Sequence, residues 1–193
     1  MDDIIKWHHS AQSGFARHYL TLYSLVLGLE AKKVFEFGSG FSSKVILEAL
    51  KYTSGKLITA DLRSINETGN SAEDLLKNPN WRYIQGNSLN ILKELSDVGF
   101  DLVLHDGSHE WRVVLRDLRF IIPRMKKNGI ILIHDTFHKT KNFRLTWAVW
   151  LAFLFIPHES ITLPYGYGLT IIRLKRGYGH GEILTSWEKR KKQ

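Results

Sequence analysis

Seven residues, Val34-Phe35-Glu36-Phe37-Gly38-Ser39-Gly40, constrain this chain more than any other stretch. An apolar strand, Val34 to Phe37, stops at two glycines. Phe41 to Leu50 then carries helical periodicity, with Val45, Ile46, Leu47 and Leu50 available for one face. Strand, glycine turn and helix N-terminus make a place where backbone N–H groups face outward and the helix dipole is positive. Glycine lets the backbone turn sharply and lets a ligand approach closely. Asp61 ends the next apolar strand, Lys56 to Ala60, 21 positions after Gly40. That is near the spacing at which nucleotide-binding folds place a carboxylate on ribose hydroxyls. The first third of the chain thus reads as built to hold an adenosine-containing cofactor. A nicotinamide dinucleotide competes for this place, but its fingerprint wants a third glycine where Ser43 stands.

The rest of the chain alternates. A helix is expected over Ser10–Glu30, then strands at Val34–Phe37, Leu57–Ala60, Arg82–Gln85, Asp101–Leu104 and Ile130–Ile133. Between them the periodicity predicts helices to about Tyr52, near Ala72–Lys77, after the N-cap pair Asn87-Ser88, and over about Glu110–Lys126. Pro123 should distort the last of these, and Gly129 should mark its stop. This rhythm argues for an α/β fold, a doubly wound and mostly parallel sheet with helices on both faces. After Ile133 the pattern changes to an apolar helix, about Phe143–Phe155, and two strands, Glu159–Leu163 and Leu169–Leu174, around a Pro/Gly-rich turn. Their spacing suits a closing antiparallel pair.

A chain of 193 residues with 44% hydrophobic and 24% charged residues forms one domain with a substantial core. Residues 1–30 form its N-terminal helical segment and residues 177–193 a basic tail. The longest apolar run, Trp147 to Ile156, is ten residues, short of a membrane span, so no membrane partner is expected. It reads as a buried helix, with a homodimer interface as the next alternative. The chain has no cysteine, which excludes thiolate metal sites and cysteine nucleophiles and fits a cytoplasmic protein. Of the net charge of +8, Glu188–Lys192 supplies four positive charges and one negative. The basic segments Lys139–Arg144 and Arg173–Arg176 keep a nucleic-acid partner open.

Ligands of open α/β sheets bind at the carboxyl ends of the strands. Every one of those ends is polar here: Glu36 with Gly38-Ser39-Gly40, Asp61, Gly86-Asn87-Ser88, His105-Asp106-Gly107-Ser108-His109, and His134-Asp135-Thr136. Asp106 and Asp135 would lie close together if their strands are neighbours. Two carboxylates with imidazole nearby can hold Mg²⁺, or a softer divalent cation if a histidine coordinates. For a lone histidine a structural role is the better reading, and for a lone aspartate helix capping is. For the pair at neighbouring strand ends, function is.

With these motifs the chain resembles the class I S-adenosylmethionine-dependent methyltransferases over roughly Ser10 to Arg176. The resemblance implies a Rossmann-like, seven-stranded sheet whose last strand is antiparallel. The segments Asp106-Gly107-Ser108-His109 and His134-Asp135-Thr136 are similar to the metal-dependent O-methyltransferases of small hydroxylated molecules, the macrolide-sugar and cephalosporin-hydroxylase-like group. From that resemblance, Gly38, Ser39 and Gly40 approach the methionine part of the cofactor and Glu36 supports its amino group. Asp61, with Leu62 beside it, takes the ribose; Asn87, Ser88 and His105 complete the cofactor site. Asp106, His134 and Asp135 carry over as metal ligands, although the branch more often has a carboxylate where His134 stands. His109 matches the branch's general base, and Asp106 is carried over with it as a catalytic residue as well as a metal ligand.

The implied reaction is in-line methyl transfer to a hydroxyl oxygen of a small molecule, with a sugar as one candidate acceptor. Imidazole suits the base because it titrates near neutral pH. An RNA ribose methyltransferase and a non-catalytic cofactor-binding protein remain alternatives, with a nicotinamide-dependent oxidoreductase last. Cytosine C5 methylation is disfavoured by the lack of cysteine, and base-amino methylation by His105-Asp106-Gly107-Ser108 in place of a Pro-Pro-aromatic motif.

Overall fold

The computed structural model describes residues 2–10, 14–68, 73–96, 99–137 and 145–175. Seven strands form one sheet: β1 Lys33–Phe37, β2 Lys56–Asp61, β3 Trp81–Gln85, β4 Phe100–His105, β5 Met125–His134, β6 His158–Leu163 and β7 Leu169–Leu174. Their order is β3-β2-β1-β4-β5-β7-β6. The pairs from β3 to β5 are all parallel; β7 runs antiparallel to both β5 and β6. The Rossmann-like sheet with an antiparallel last strand is therefore the fold. Strand order reverses at β1, which has β2 on one side and β4 on the other, so the crevice for a ligand opens over the carboxyl ends of β1 and β4.

Among the described residues, seven α-helices accompany the sheet: α1 Asp2–Ser10, α2 Tyr19–Gly28, α3 Phe41–Thr53, α4 Glu73–Leu76, α5 Ser88–Glu94, α6 Trp111–Ile121 and α7 Leu145–Phe153. Side chains alternate across each strand, and both faces are covered, so the strands read as unbroken apolar runs. Phe35, Val103 and Ile131 pack with Leu92 of α5, Leu118 of α6 and Ala148 of α7 on one face. Val34, Leu102 and Leu132 pack with Leu22 of α2 and Ile46 of α3 on the other.

Four expectations need correction. The helix expected over Ser10–Glu30 is divided into α1, a 3₁₀ turn at Gly14–His18, and α2; residues 11–13 lie outside the described residues. Gly14 sits where a Cβ would come within 2.7 Å of the Tyr167 ring, a contact between segments far apart in sequence. The helix expected to run to Lys126 ends at Ile121, with a 3₁₀ turn over Ile122–Arg124. Proline at 123 has no N–H to continue it. Met125 instead opens β5, pairing with Phe100, and a register shift absorbs the extra residues before Leu102↔Ile130. Gly129, expected as a helix stop, lies inside that strand, where a Cβ would meet Lys126 O at 2.9 Å. Finally, α7 buries Ala148, Ala152 and Phe153 but leaves Trp147 and Trp150 half exposed, so it is not the fully buried helix expected. Among the described residues no helix is long and apolar enough to cross a membrane.

Candidate active site

The glycine turn after β1 is held from three sides. Gly38 N–H donates to Ala60 O at 2.8 Å and Asp106 N–H donates to Phe37 O at 2.9 Å, binding the turn to β2 and to the β4 loop. Gly38 has φ +82°, and a Cβ there would meet Asp106 O and Gly107 Cα at 2.6 Å. No other residue fits that contact. Gly40 differs. Its φ of −160° is open to any residue, and only Ser42 Oγ, at 3.9 Å, would meet its Cβ. Among the described residues nothing requires glycine at 40; its bareness leaves space beside the N-terminus of α3, which fits a ligand lying against the turn.

Glu36 lies behind that turn, fully buried. Ser42 Oγ donates to its Oε1 at 2.6 Å; Ser43 Oγ and Thr59 Oγ1 donate to its Oε2 at 2.6 and 2.9 Å. Burial pushes its carboxyl up and the three hydroxyls only partly oppose this, leaving it at about 7. Its oxygens thus face α3 and β2, and any support for a cofactor amino group would pass through those hydroxyls. Ser43, which stands where a dinucleotide fingerprint wants glycine, has its own work as a donor to Glu36.

Asp61 is buried at the end of β2 and receives the Ser39 N–H at 2.6 Å. Burial would raise its carboxyl, but the hydrogen bonds from Arg63 and Ser39 hold it below the usual range. Leu62 beside it is exposed. Asn87 caps α5, accepting Leu89 N–H at 3.0 Å. Ser88 Oγ donates to Asp117 at 2.9 Å, and His105 is buried, stacked on Phe37 with Nε2 3.4 Å from Asp117. The carboxylate of Asp117 also accepts from Arg116 at 3.0 Å. Sequence reading missed Asp117, although it had a signal: an acid on the apolar stripe of α6, between Val114 and Ile121. The side chains of Ser88 and His105 thus both rest on Asp117.

The strand-four and strand-five ends do meet. Because β4 pairs with β5, ligand atoms of Asp106, His134 and Asp135 lie within 4.8 Å of one another. His134 Nδ1 is 2.9 Å from Asp106 Oδ1 and 3.2 Å from Asp135 Oδ2, and its Nε2 donates to Gly166 O at 2.7 Å. Burial works against a charged ring here, yet hydrogen bonds and charge from the two aspartates prevail and raise His134 to about 10. An imidazolium satisfies every acceptor around it. The same three side chains fit a divalent cation: one imidazole nitrogen and two carboxylates converge, and the far N–H of the ring is fixed by a carbonyl, as imidazole ligands usually are. His109 Nε2 hydrogen-bonds Asp135 Oδ2, while its ring remains half exposed. That bond raises His109 above its ordinary value, against a smaller opposing effect of burial. Burial would raise Asp135, but the two histidines hold it far below the usual carboxylate range.

A wall behind this cluster was not foreseen in detail. The Pro164–Gly168 turn meets the N-terminal segment: a Cβ at Gly166 would come within 2.0 Å of Gly14 O. Phe15 lies edge-on to His134 at 4.9 Å. His18 is buried beside it, donating from Nε2 to Tyr165 O at 3.0 Å, with Nδ1 unpartnered among the described residues. Burial, reinforced by His134, lowers His18, so it stays neutral. The basic segment Lys139–Arg144 lies outside the described residues, as does Arg176; Arg173 and Lys175 both pair with Glu159, at 2.9 and 3.3 Å.

Comparison with known proteins agrees with this architecture. The chain resembles SAH-bound methyltransferase PaMTH1 of Podospora anserina, with 18% identity and TM-score 0.69, over 90% of this chain and 86% of that one. It also resembles cofactor-bound Rv0187 from MTB, with 16% identity and TM-score 0.68, over 87% and 83%. A candidate caffeoyl-CoA O-methyltransferase from Staphylococcus aureus gives 16% identity and TM-score 0.68, over 82% and 83%. At such identities the likeness is one of fold. The uncharacterized protein y4gI of Sinorhizobium fredii is 30% identical over 81 residues, which span 42% of this chain and 9% of that protein. The profile of a family described as "Methyltransferase domain" matches residues 35–136, from within β1 to just past Asp135. That stretch holds the glycine turn, Asp61 and the whole histidine–aspartate cluster, and the chain belongs to this methyltransferase-domain family.

Proposed function

We propose that this methyltransferase moves the methyl group of S-adenosylmethionine to a hydroxyl oxygen of a small molecule. The observation that carries the proposal is the His109–Asp135 hydrogen bond beside Asp106 and His134, one loop away from the glycine turn. An imidazole held by a carboxylate at the edge of a cofactor crevice is what proton removal from a hydroxyl needs. The resemblance in fold to proteins described as SAH-bound or cofactor-bound, and to a candidate O-methyltransferase, supports the cofactor and the acceptor atom.

Bound S-adenosylmethionine supplies an electrophilic methyl carbon on a sulfonium. The chain's residues do the rest. Asp135 accepts the Nε2–H of His109 and so favours the tautomer with its lone pair on Nδ1. His109 takes the hydroxyl proton as the oxygen forms its bond to the methyl carbon and the S–C bond breaks, leaving a thioether. Asp135 then faces the imidazolium and stabilises it. Asp106, His134 and Asp135 would hold a divalent cation, which when bound lowers the pKa of a coordinated hydroxyl. The glycine turn and Asp61 hold the nucleoside in place so that the displacement is in line.

The test is a methyl-transfer assay with labelled S-adenosylmethionine against hydroxylated small molecules, sugars and phenols included. Label in an ether product that His109→Ala fails to form supports the proposal. Label only on amines, or on RNA, overturns it.

A further inference from the structure

The carboxylate of Asp61 is saturated. A carboxylate offers about four lone-pair sites. Oδ1 accepts the Arg63 backbone N–H at 2.8 Å and Arg63 Nε at 3.1 Å; Oδ2 accepts the Ser39 N–H at 2.6 Å and Arg63 Nη2 at 2.7 Å. The same Nη2 also donates to Ser39 O at 2.6 Å, so the guanidinium ties the glycine turn to the end of β2. Asp61 is 6% exposed and Arg63 51% exposed, which makes the arginine the outer, accessible member of the pair. The backbone beneath it is fixed: Tyr83 Oη donates to Arg63 O at 2.7 Å, and Ser64 N–H and Oγ both donate to Glu67 at 2.7 Å. Only the side chain can leave without unmaking the loop.

A ribose presents two vicinal hydroxyls, hence two donors. Of the four bonds on Asp61, two come from backbone and two from the guanidinium. The numbers match: the diol can be accepted once the Nε and Nη2 bonds are given up. We infer that Arg63 is a latch on the ribose subsite, occupying Asp61 when no nucleoside is bound and swinging outward when one enters. The inference rests on the S-adenosylmethionine reading above. It makes Arg63 a positioning residue that sets cofactor affinity without adding to it, since each binding event must first break a bidentate, charge-assisted contact. The half-exposed position of the guanidinium keeps that cost modest, because solvent screens the pair.

The test is calorimetric titration of S-adenosylhomocysteine, adenosine and 2′,3′-dideoxyadenosine into the wild type, Arg63→Met and Arg63→Lys, with melting temperatures alongside. The latch predicts that Arg63→Met binds S-adenosylhomocysteine and adenosine about tenfold tighter than the wild type, with Arg63→Lys between them. It predicts no gain for 2′,3′-dideoxyadenosine, which has no diol to offer Asp61. A merely structural arginine would lower the melting temperature and leave that contrast flat. If Arg63→Met does not fold, Arg63→Lys carries the comparison. Equal or weaker binding by the variants, with the wild type binding, overturns the latch and leaves the cofactor reading standing. No binding by any of the three proteins overturns both.

Discussion

His109 and Asp135 stand 26 residues apart in sequence and share one hydrogen bond, from the β4–α6 loop to the residue after β5. The bond fixes which imidazole nitrogen is basic and raises the ring above its ordinary value of 6.5. A base must be neutral to act, so kcat should rise with pH through a midpoint above 6.5. Asp135→Asn should move that midpoint down. His109→Ala should cost about 10²–10⁴-fold in kcat, with the Kd for S-adenosylmethionine unchanged. Equal activity in His109→Ala at neutral pH would remove the histidine from the chemistry.

Gly38 and Gly40 should respond oppositely to substitution. Gly38→Ala places a Cβ 2.6 Å from the Asp106 backbone at a φ of +82°, and should cost about 2–3 kcal/mol of stability. Gly40→Val puts its Cβ 3.9 Å from the nearest described atom, Ser42 Oγ, and should melt within a few degrees of the wild type, yet lose cofactor affinity at least about tenfold. Melting curves and titration calorimetry on both variants separate the two roles. A Gly40→Val that binds normally would show that the space beside α3 is not used.

Glu36 makes stability depend on pH. Its carboxyl is at about 7 in the fold against an ordinary 4.5. A carboxyl raised by folding costs nothing below its ordinary value and costs progressively more as pH rises through the folded one. The loss between pH 4.5 and 8 amounts to about 3 kcal/mol. Glu36→Gln cannot ionise; the hydroxyls beside its amide nitrogen can rotate to accept, while those beside its carbonyl oxygen still donate. Urea denaturation at pH 5 and pH 8 should therefore show a smaller decline for Glu36→Gln than for the wild type; an equal decline would place the titration elsewhere.

Much of this site is legible in sequence because apolar strands end abruptly in polar residues, and strand alternation brings those ends to one edge. Asp106 meets Asp135 for that reason alone. What sequence hides is contact between distant segments. Asp135 sits at φ +58°, uncommon for a residue other than glycine, and nothing in the sequence around it signals this. That Ser42, Ser43 and Thr59 converge on Glu36 depends on α3 packing over β2. The length of β5 follows from Phe100 pairing with Met125, which outweighs the helical periodicity running up to Pro123. Arg63 carries no motif; only its four contacts to Asp61 and Ser39 reveal it.

The donor set of Asp106, His134 and Asp135 predicts a metal preference. One imidazole and two carboxylates suit Mn²⁺ or Co²⁺ better than Mg²⁺, which favours oxygen throughout. In a thermal-shift series Mn²⁺ or Co²⁺ should raise the melting temperature more than Mg²⁺, and more at pH 8 than at pH 6, since protons compete for His134. Asp106→Asn should abolish the shift. A shift that survives Asp106→Asn would place the cation elsewhere.

Isothermal titration with S-adenosylmethionine and, separately, NADH, each with and without Mg²⁺, shows whether the carboxyl ends of β1 and β4 take S-adenosylmethionine. Saturable one-to-one binding of S-adenosylmethionine and no heat from NADH are expected; binding of NADH instead, or of neither, would contradict the proposed function.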